Sequence, residues 1–166
     1  MNDARVKASN PKDSLGSLKV PMSTIPLPVI LEIGVGMFEG ACKYSRHNYR
    51  EIGVRASVYF DAVVARHLTG WWEGEDEDPD TCAKDDSGKP IPGTGLSHLS
   101  KAMAGLVVLR DSQLMGNMVD DRPPPGVNGD IGGHIKRLND MTARIAKMYP
   151  DAKYPYTAND IYGLRE

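Results

Sequence analysis

Apolar residues in this chain recur at three- and four-residue intervals in four separate stretches, and nowhere do they alternate with polar ones over a strand-length run. The four stripes are Ile30, Ile33, Met37, Ala41; Val58, Ala62, Ala65, Leu68, Trp72; Leu99, Ala102, Met103, Leu106, Leu109; and Ile135, Leu138, Met141, Ile145, Met148. No Asn-Gly turn joins two apolar strands, and no internal repeat is present. The expected fold class is therefore all-α, with helices brought together through these stripes.

Proline and glycine mark the boundaries. Pro28 suits the first turn of a helix running to about Ser45, because its missing N–H has no partner there anyway. Gly34, Gly36 and Gly40 each weaken this helix by roughly 1 kcal/mol relative to Ala, which points to close approach of a backbone or a ligand. A turn spans 46–57, and Ser57 is placed at or near the N-cap of a second helix over 58–72. Residues 81–95 read as loop, a third helix runs from His98 to about Gln113, and the prolines of DDRPPPGVNGD forbid its continuation. A fourth helix occupies 131–149. The expected organisation is a polar arm over 1–20, a core over 21–116, and a helical extension with an irregular tail over 117–166.

Composition narrows the function. Twenty basic and 22 acidic side chains leave a net charge of −2, which argues against a nucleic-acid partner. Two cysteines, Cys42 and Cys82, are too few for a disulfide scaffold and suit a reducing compartment, with Cys42 expected in packing. The N-terminus lacks an apolar segment of the secretory kind, and the apolar run 104–109 is far short of the roughly 20 residues a membrane span needs. The expected location is the cytoplasm, without a membrane partner.

The strongest chemical signal is acidic. EGEDEDPD, residues 73–80, carries six carboxylates in eight positions. On a continued helical turn Glu75 and Asp78 point to one side, and Asp61, His67 and Glu75 fall within an arc of about 120°. Converging oxygen ligands suit Mg²⁺ or Mn²⁺; a solvated loop is the alternative. Trp71 and Trp72 precede the cluster and could form an apolar wall beside it. Glu32 and Glu39 lie on one face of the first helix, and Glu32 needs a partner if buried. Lys43, Arg46, His47, Arg50 and Arg55 form a basic patch that suits a polyphosphate or is ordinary surface. His67 and His98 are candidate ligands, proton shuttles or phosphate contacts, or structural histidines. No Walker loop, dinucleotide fingerprint, H-E-x-x-H or G-x-S-x-G occurs.

Three stretches carry a family resemblance. They are Glu32 followed by Lys43, Tyr44, Asn48 and Tyr49; D-A-x-x-x-R-H-L-x-x-W-W-x-G-E-D-x-D-P from Asp61 to Pro79; and G-L-x-H-L-x-x-A at Gly95, Leu96, His98, Leu99 and Ala102. In this order, over roughly 20–112, they resemble the phage dATP/dGTP diphosphohydrolase family, MazG-like proteins of the all-α NTP pyrophosphatase type. The chain departs from that pattern at an insertion, KDDSGKPIPGTG, at Lys101 where a second histidine is expected, and at Gly105 where an asparagine is expected.

The resemblance implies a compact four-helix core and metal-dependent cleavage of a purine deoxynucleoside triphosphate, dGTP or dATP, between the α and β phosphates. Two or three divalent ions, Mg²⁺ or Mn²⁺, would be held by Glu32, Asp61, Glu75 and Asp78, with Glu32 or Glu75 as base. Lys43, Arg66 and Lys101 are expected at phosphates, and Tyr44 or Trp71 on the purine, with Asn48, His67 and His98 completing the nucleotide site. Subunits of this type form homodimers or homotetramers, with sites at subunit contacts. The rival from another class is a non-catalytic nucleotide-binding or helical interaction protein that keeps the fold, motivated by Lys101 and Gly105; a pyrimidine substrate is a third reading.

Overall fold

The computed structural model describes residues 19–79, 84–89 and 92–151. Residues 1–18 of the expected arm, nearly all of the expected tail, and Cys82 lie outside the described residues. The chain divides into two units, Met1–Arg122 and Pro123–Glu166.

The first unit is built around one helix. After a short 3-10 turn at Met22–Thr24, α1 runs over Leu27–Tyr44 with Pro28 in its first turn, as the fixed φ of proline favours. Ile33, Met37 and Ala41 are half-buried on the α1 side that meets α4 (His98–Met115). Of the three α1 glycines, only Gly36 marks a close approach: a Cβ there would lie 3.1 Å from Ala104 Cβ and 3.3 Å from Leu96 Cδ2. Gly34 and Gly40 have nothing within 4 Å of an added Cβ.

Where a plain turn was expected, the chain forms a short helix, α2 (Asn48–Ile52), and a two-residue strand, β1 (Val54–Arg55). β1 pairs in parallel with β2 (Met118–Val119), Val54 opposite Met118 and Arg55 opposite Val119. So small a ribbon leaves the fold all-α.

The next helix, α3, is continuous through three pieces: α-helix Ala56–Asp61, π-helix Ala62–Leu68 and α-helix Thr69–Trp72. Ser57 stands near the start of α3 as expected, but it is not itself the cap. Arg55 is the N-cap and contributes no side-chain bond, whereas Ser57 lies inside the helix. Asp121 does the capping from a distance, its carboxylate accepting from Ser57 N at 2.9 Å and Ser57 Oγ at 2.6 Å. The anion also opposes the positive end of the helix dipole.

The buried face of α3 also differs. Ala56, Tyr59, Val63, His67 and Gly70 turn inward, while the stripe Val58, Ala62, Ala65, Leu68 and Trp72 is exposed. Periodicity alone assigns the core to the more apolar stripe. Here the inward face is reserved for a histidine and a glycine, which form part of a polar cluster.

Helix α4 is capped by Ser97, whose side chain accepts from Ser100 N, and ends at Gly116 in the left-handed conformation. It packs against α1, α2 and α3. A Cβ on Gly105 would lie 3.1 Å from Val63 Cγ2, so the residue found in place of the expected asparagine lets α4 sit close on the π-segment. Arg50 clamps the far end of α4 through a two-pronged pair with Asp111, at 2.7 and 2.9 Å.

The second unit contains a 3-10 turn at Val127–Gly129 and α5 (Ile131–Met148), capped by Asp130. The predicted stripe Ile135, Leu138, Met141, Ile145, Met148 forms one helical side, and each member is exposed. No helix among the described residues is long and apolar enough to cross a membrane.

Candidate active site

The polar cluster begins with a loop pinned to α4. Helix α3 ends at Trp72, so Glu75 and Asp78 do not share a helical turn as projected; they lie in the non-helical chain that follows. Glu77 forms an antiparallel bridge with Ser97, with Asp78 N donating to Leu96 O at 3.1 Å and His98 N to Asp76 O at 2.9 Å. Those bonds hold Asp78 beside the start of α4. They also explain how the insertion is carried: the chain leaves the bridge after Asp78 and returns to it before Ser97.

Asp78 is 1% exposed, and His98 and Ser100 are as deeply buried. Buried charge requires partners. Arg66 Nη2 reaches Asp78 Oδ2 at 3.0 Å, Lys101 Nζ reaches the same oxygen at 3.1 Å, and His67 Nδ1 lies 3.7 Å from it. His67 Nδ1 in turn faces His98 Nδ1 at 3.1 Å, and His98 Nε2 meets Glu75 Oε2 at 2.9 Å. The far side of Lys101 contacts Glu39 at 3.2 and 3.3 Å, and Glu39 also pairs with Lys43 at 2.6 Å. A chain of charged and polar contacts thus runs from Glu75 through two histidines, Asp78, Lys101 and Glu39 to Lys43.

Local sequence explains its placement. Glu32 and Glu39, seven residues apart, both turn toward α4: Glu32 accepts from Ser100 Oγ at 2.5 Å, and Glu39 takes the neighbouring Lys101. Gly70 admits His98, since a Cβ there would lie 2.9 Å from Nε2 and 3.3 Å from Glu75 Oε2. Burial lowers the pKa of His67 from its usual value; Asp78 opposes this and Arg66 reinforces it. The imidazole therefore favours the neutral form that a metal requires.

His67, Asp78 and His98 place one ligand atom each within 4.8 Å of one another. Two nitrogens on one ion lie about 3–4 Å apart, given metal–nitrogen bonds of about 2 Å, so the facing Nδ1 atoms fit a common ion. Glu75 on the other nitrogen of His98 is the carboxylate that orients a ligating histidine.

Beside this cluster lies a cleft of about 950 Å³, lined by Lys43, Tyr44, Asn48, Arg66, His67, Asp78 and Lys101 among others. Six of the eight expected nucleotide contacts therefore share one cleft. His98 does not line it, and Trp71 does not line it either but lies with its ring tilted 58° to that of exposed Trp72. Neither Glu32 nor Glu75 lines the cleft; each is reached from it through α4 residues. Asp61 is exposed and is not one of the three clustered ligands. Cys42 is exposed rather than packed. Of the basic patch, Lys43, Arg50 and Arg55 pair with Glu39, Asp111 and Asp121, while Arg46 and His47 line the cleft.

A family model described as dATP/dGTP diphosphohydrolase, N-terminal, matches residues 9–122. The chain belongs to this family. No curated protein and no solved structure matches the chain. The stretch shared with the dATP/dGTP diphosphohydrolase family contains α1 to α4, both strands and every member of the polar cluster, and it ends one residue after the capping Asp121. Helix α5 falls beyond it.

Proposed function

We propose that the chain hydrolyses a purine deoxynucleoside triphosphate, dGTP or dATP, to the monophosphate and pyrophosphate with the help of a divalent ion. The observation that carries this reading is the cleft in which three cations, Lys43, Arg66 and Lys101, stand next to the His67–Asp78–His98 cluster. A triphosphate brings three or four negative charges that must be neutralised on several sides. Water adds at the α phosphorus, the α–β anhydride breaks, and the departing oxygen leaves with pyrophosphate.

His67, Asp78 and His98 would hold the ion, which when bound supplies Lewis acidity and charge neutralisation. Two nitrogen donors with one carboxylate suit Mn²⁺ better than Mg²⁺, a harder cation. Glu75 fixes the ring of His98, and Glu32 fixes Ser100 at the same turn of α4. Glu75 and Glu32 remain the candidates to hold a proton, Glu75 the nearer to the histidines. Arg66 and Lys43 draw the phosphates along the cleft, and Tyr44 and Asn48 line its nucleoside end.

Assembly into homodimers or homotetramers belongs to the same reading. Leu27, Leu31, Val35 and Phe38 form an exposed apolar stripe on the outer side of α1, the kind of surface a second subunit covers.

The test is chromatographic analysis of products from dGTP, dATP, dCTP and dTTP, each with Mn²⁺, Mg²⁺ or EDTA. Metal-dependent release of a purine monophosphate with pyrophosphate is expected. Absence of turnover on every nucleotide with either metal would overturn it. Light scattering gives the assembly state.

A further inference from the structure

We propose that the Lys101 ammonium is a built-in cation that stands in for a second divalent ion between Glu39 and Asp78. Its Nζ lies 3.1 Å from Asp78 Oδ2 and 3.2 Å from Glu39 Oε2. The Lys101 side chain is 9% exposed, against 2% for Asp78 and 16% for Glu39. The carboxylates come from different elements, α1 and the loop after α3, and converge where little water reaches. Two such anions facing one another need a cation between them, and either a metal or an ammonium meets that need.

The position resembles that of a second ion because of what it shares. Asp78 Oδ2, the oxygen that Lys101 contacts, is also the one facing His67 Nδ1 at 3.7 Å. Paired metals about 3.5–4 Å apart commonly divide one carboxylate in this manner. A lysine there fixes a single positive charge that neither chelators nor dilution remove. The number of exchangeable ions at this place is thereby reduced by one. The inference rests on the reading above only for the first ion; the lysine position is argued from its own contacts.

The experiment counts Mn²⁺ per chain by electron paramagnetic resonance titration, in wild type and in Lys101→Met. Wild type is expected to bind one ion and Lys101→Met two, and Mn²⁺ is expected to raise the Tm of the variant more than that of wild type. Glu39→Gln combined with Lys101→Met should lose the additional ion. Equal counts in wild type and Lys101→Met would overturn the proposal, as would an additional ion that survives loss of Glu39. If wild type binds none and the variant one, the lysine reading stands and the histidine cluster is discarded; if both bind one, the reverse holds. Lys43 and Arg66 still pair with the two carboxylates in the variant, which favours its folding. Should it nevertheless fail to fold, Lys101→His and Lys101→Arg decide: only the histidine variant should gain an ion, and equal counts would overturn the proposal.

Discussion

Helices α4 and α5 have the same length, 18 residues, and opposite relations to their surroundings. In α4, His98, Ser100, Ala102, Ala104 and Ser112 are buried, although apolar residues such as Val107, Val108 and Leu114 lie around the helix as well as on its stripe. In α5 a single apolar stripe runs the whole length, and no residue is buried. Amphipathic pattern therefore reports which face could be covered, while burial depends on how many neighbours surround the helix. Helix α4 is enclosed by α1, α2 and α3, so its small and polar residues are the ones that fit. The most buried large side chains of the described residues are His98 and Asp78, both polar and both in the cluster.

The contrast can be broken most forcefully at Asp78. Asp78→Ala removes a buried carboxylate from Arg66 and Lys101, and a loss of about 3 kcal/mol is expected by urea unfolding, together with loss of any metal-dependent turnover. A stability within 0.5 kcal/mol of wild type would show that the cluster is not what α4 is built around. Next, Gly36→Ala should cost about 1–3 kcal/mol, because a methyl 3.1 Å from Ala104 Cβ and 3.3 Å from Leu96 Cδ2 forces the α1–α4 contact to give way, whereas Gly34→Ala should gain up to about 1 kcal/mol from helix propensity. Thermal melts of the two variants should move in opposite directions; movement in the same direction would remove the close α1–α4 approach. In α5, Leu138→Ala is expected to change stability by less than about 0.5 kcal/mol, since the side chain is exposed. A larger cost would reveal a partner for that stripe.

The smallest effect concerns acid. Burial alone would raise the Glu39 pKa, but hydrogen bonds from Lys43 and Lys101 outweigh it, and the folded value lies below the ordinary 4.5. A folded-state pKa that is depressed contributes stability above the unfolded value, and that contribution fades as the pH falls through the folded value. Glu39→Gln should therefore flatten the decline of Tm below about pH 4.5 and reduce stability at neutral pH. An unchanged acid limb would exclude Glu39 from the ion-pair chain.

The four long helices were legible because Pro28, the Ser97–His98 start and the prolines after Arg122 bound stripes of clear helical period. Helix α2 and β1 were not, since five and two residues are too few to establish a period. The face of α3 was misread because apolarity favoured Val58 and Leu68, whereas His67 and Gly70 are the residues that turn inward. In the site, Asp78, Arg66 and Lys101 were candidates from their spacing and family likeness, yet their mutual contacts span elements and could not be read from either. His67 and His98 are 31 positions apart, and the packing of α4 on the π-segment, with the bridge at Glu77 and Ser97 fixing the start of α4, brings them face to face. The exposed end of α3 likewise leaves Trp72 in solvent, although two adjacent tryptophans pointed to an apolar wall.

The cap supplied to α3 by Asp121 has a consequence for the order in which the chain acquires structure. Ser57 waits for a residue 64 positions later, and β1 waits equally long for β2. During synthesis the π-segment with His67 is therefore made well before the group that secures its start. Closing so long a loop costs entropy before any contact repays it, so the Ser57–Asp121 clasp and the β1–β2 pairing are expected to form late. A nascent chain halted before residue 121 would carry every side chain of the cluster without the clasp that sets their helix in place.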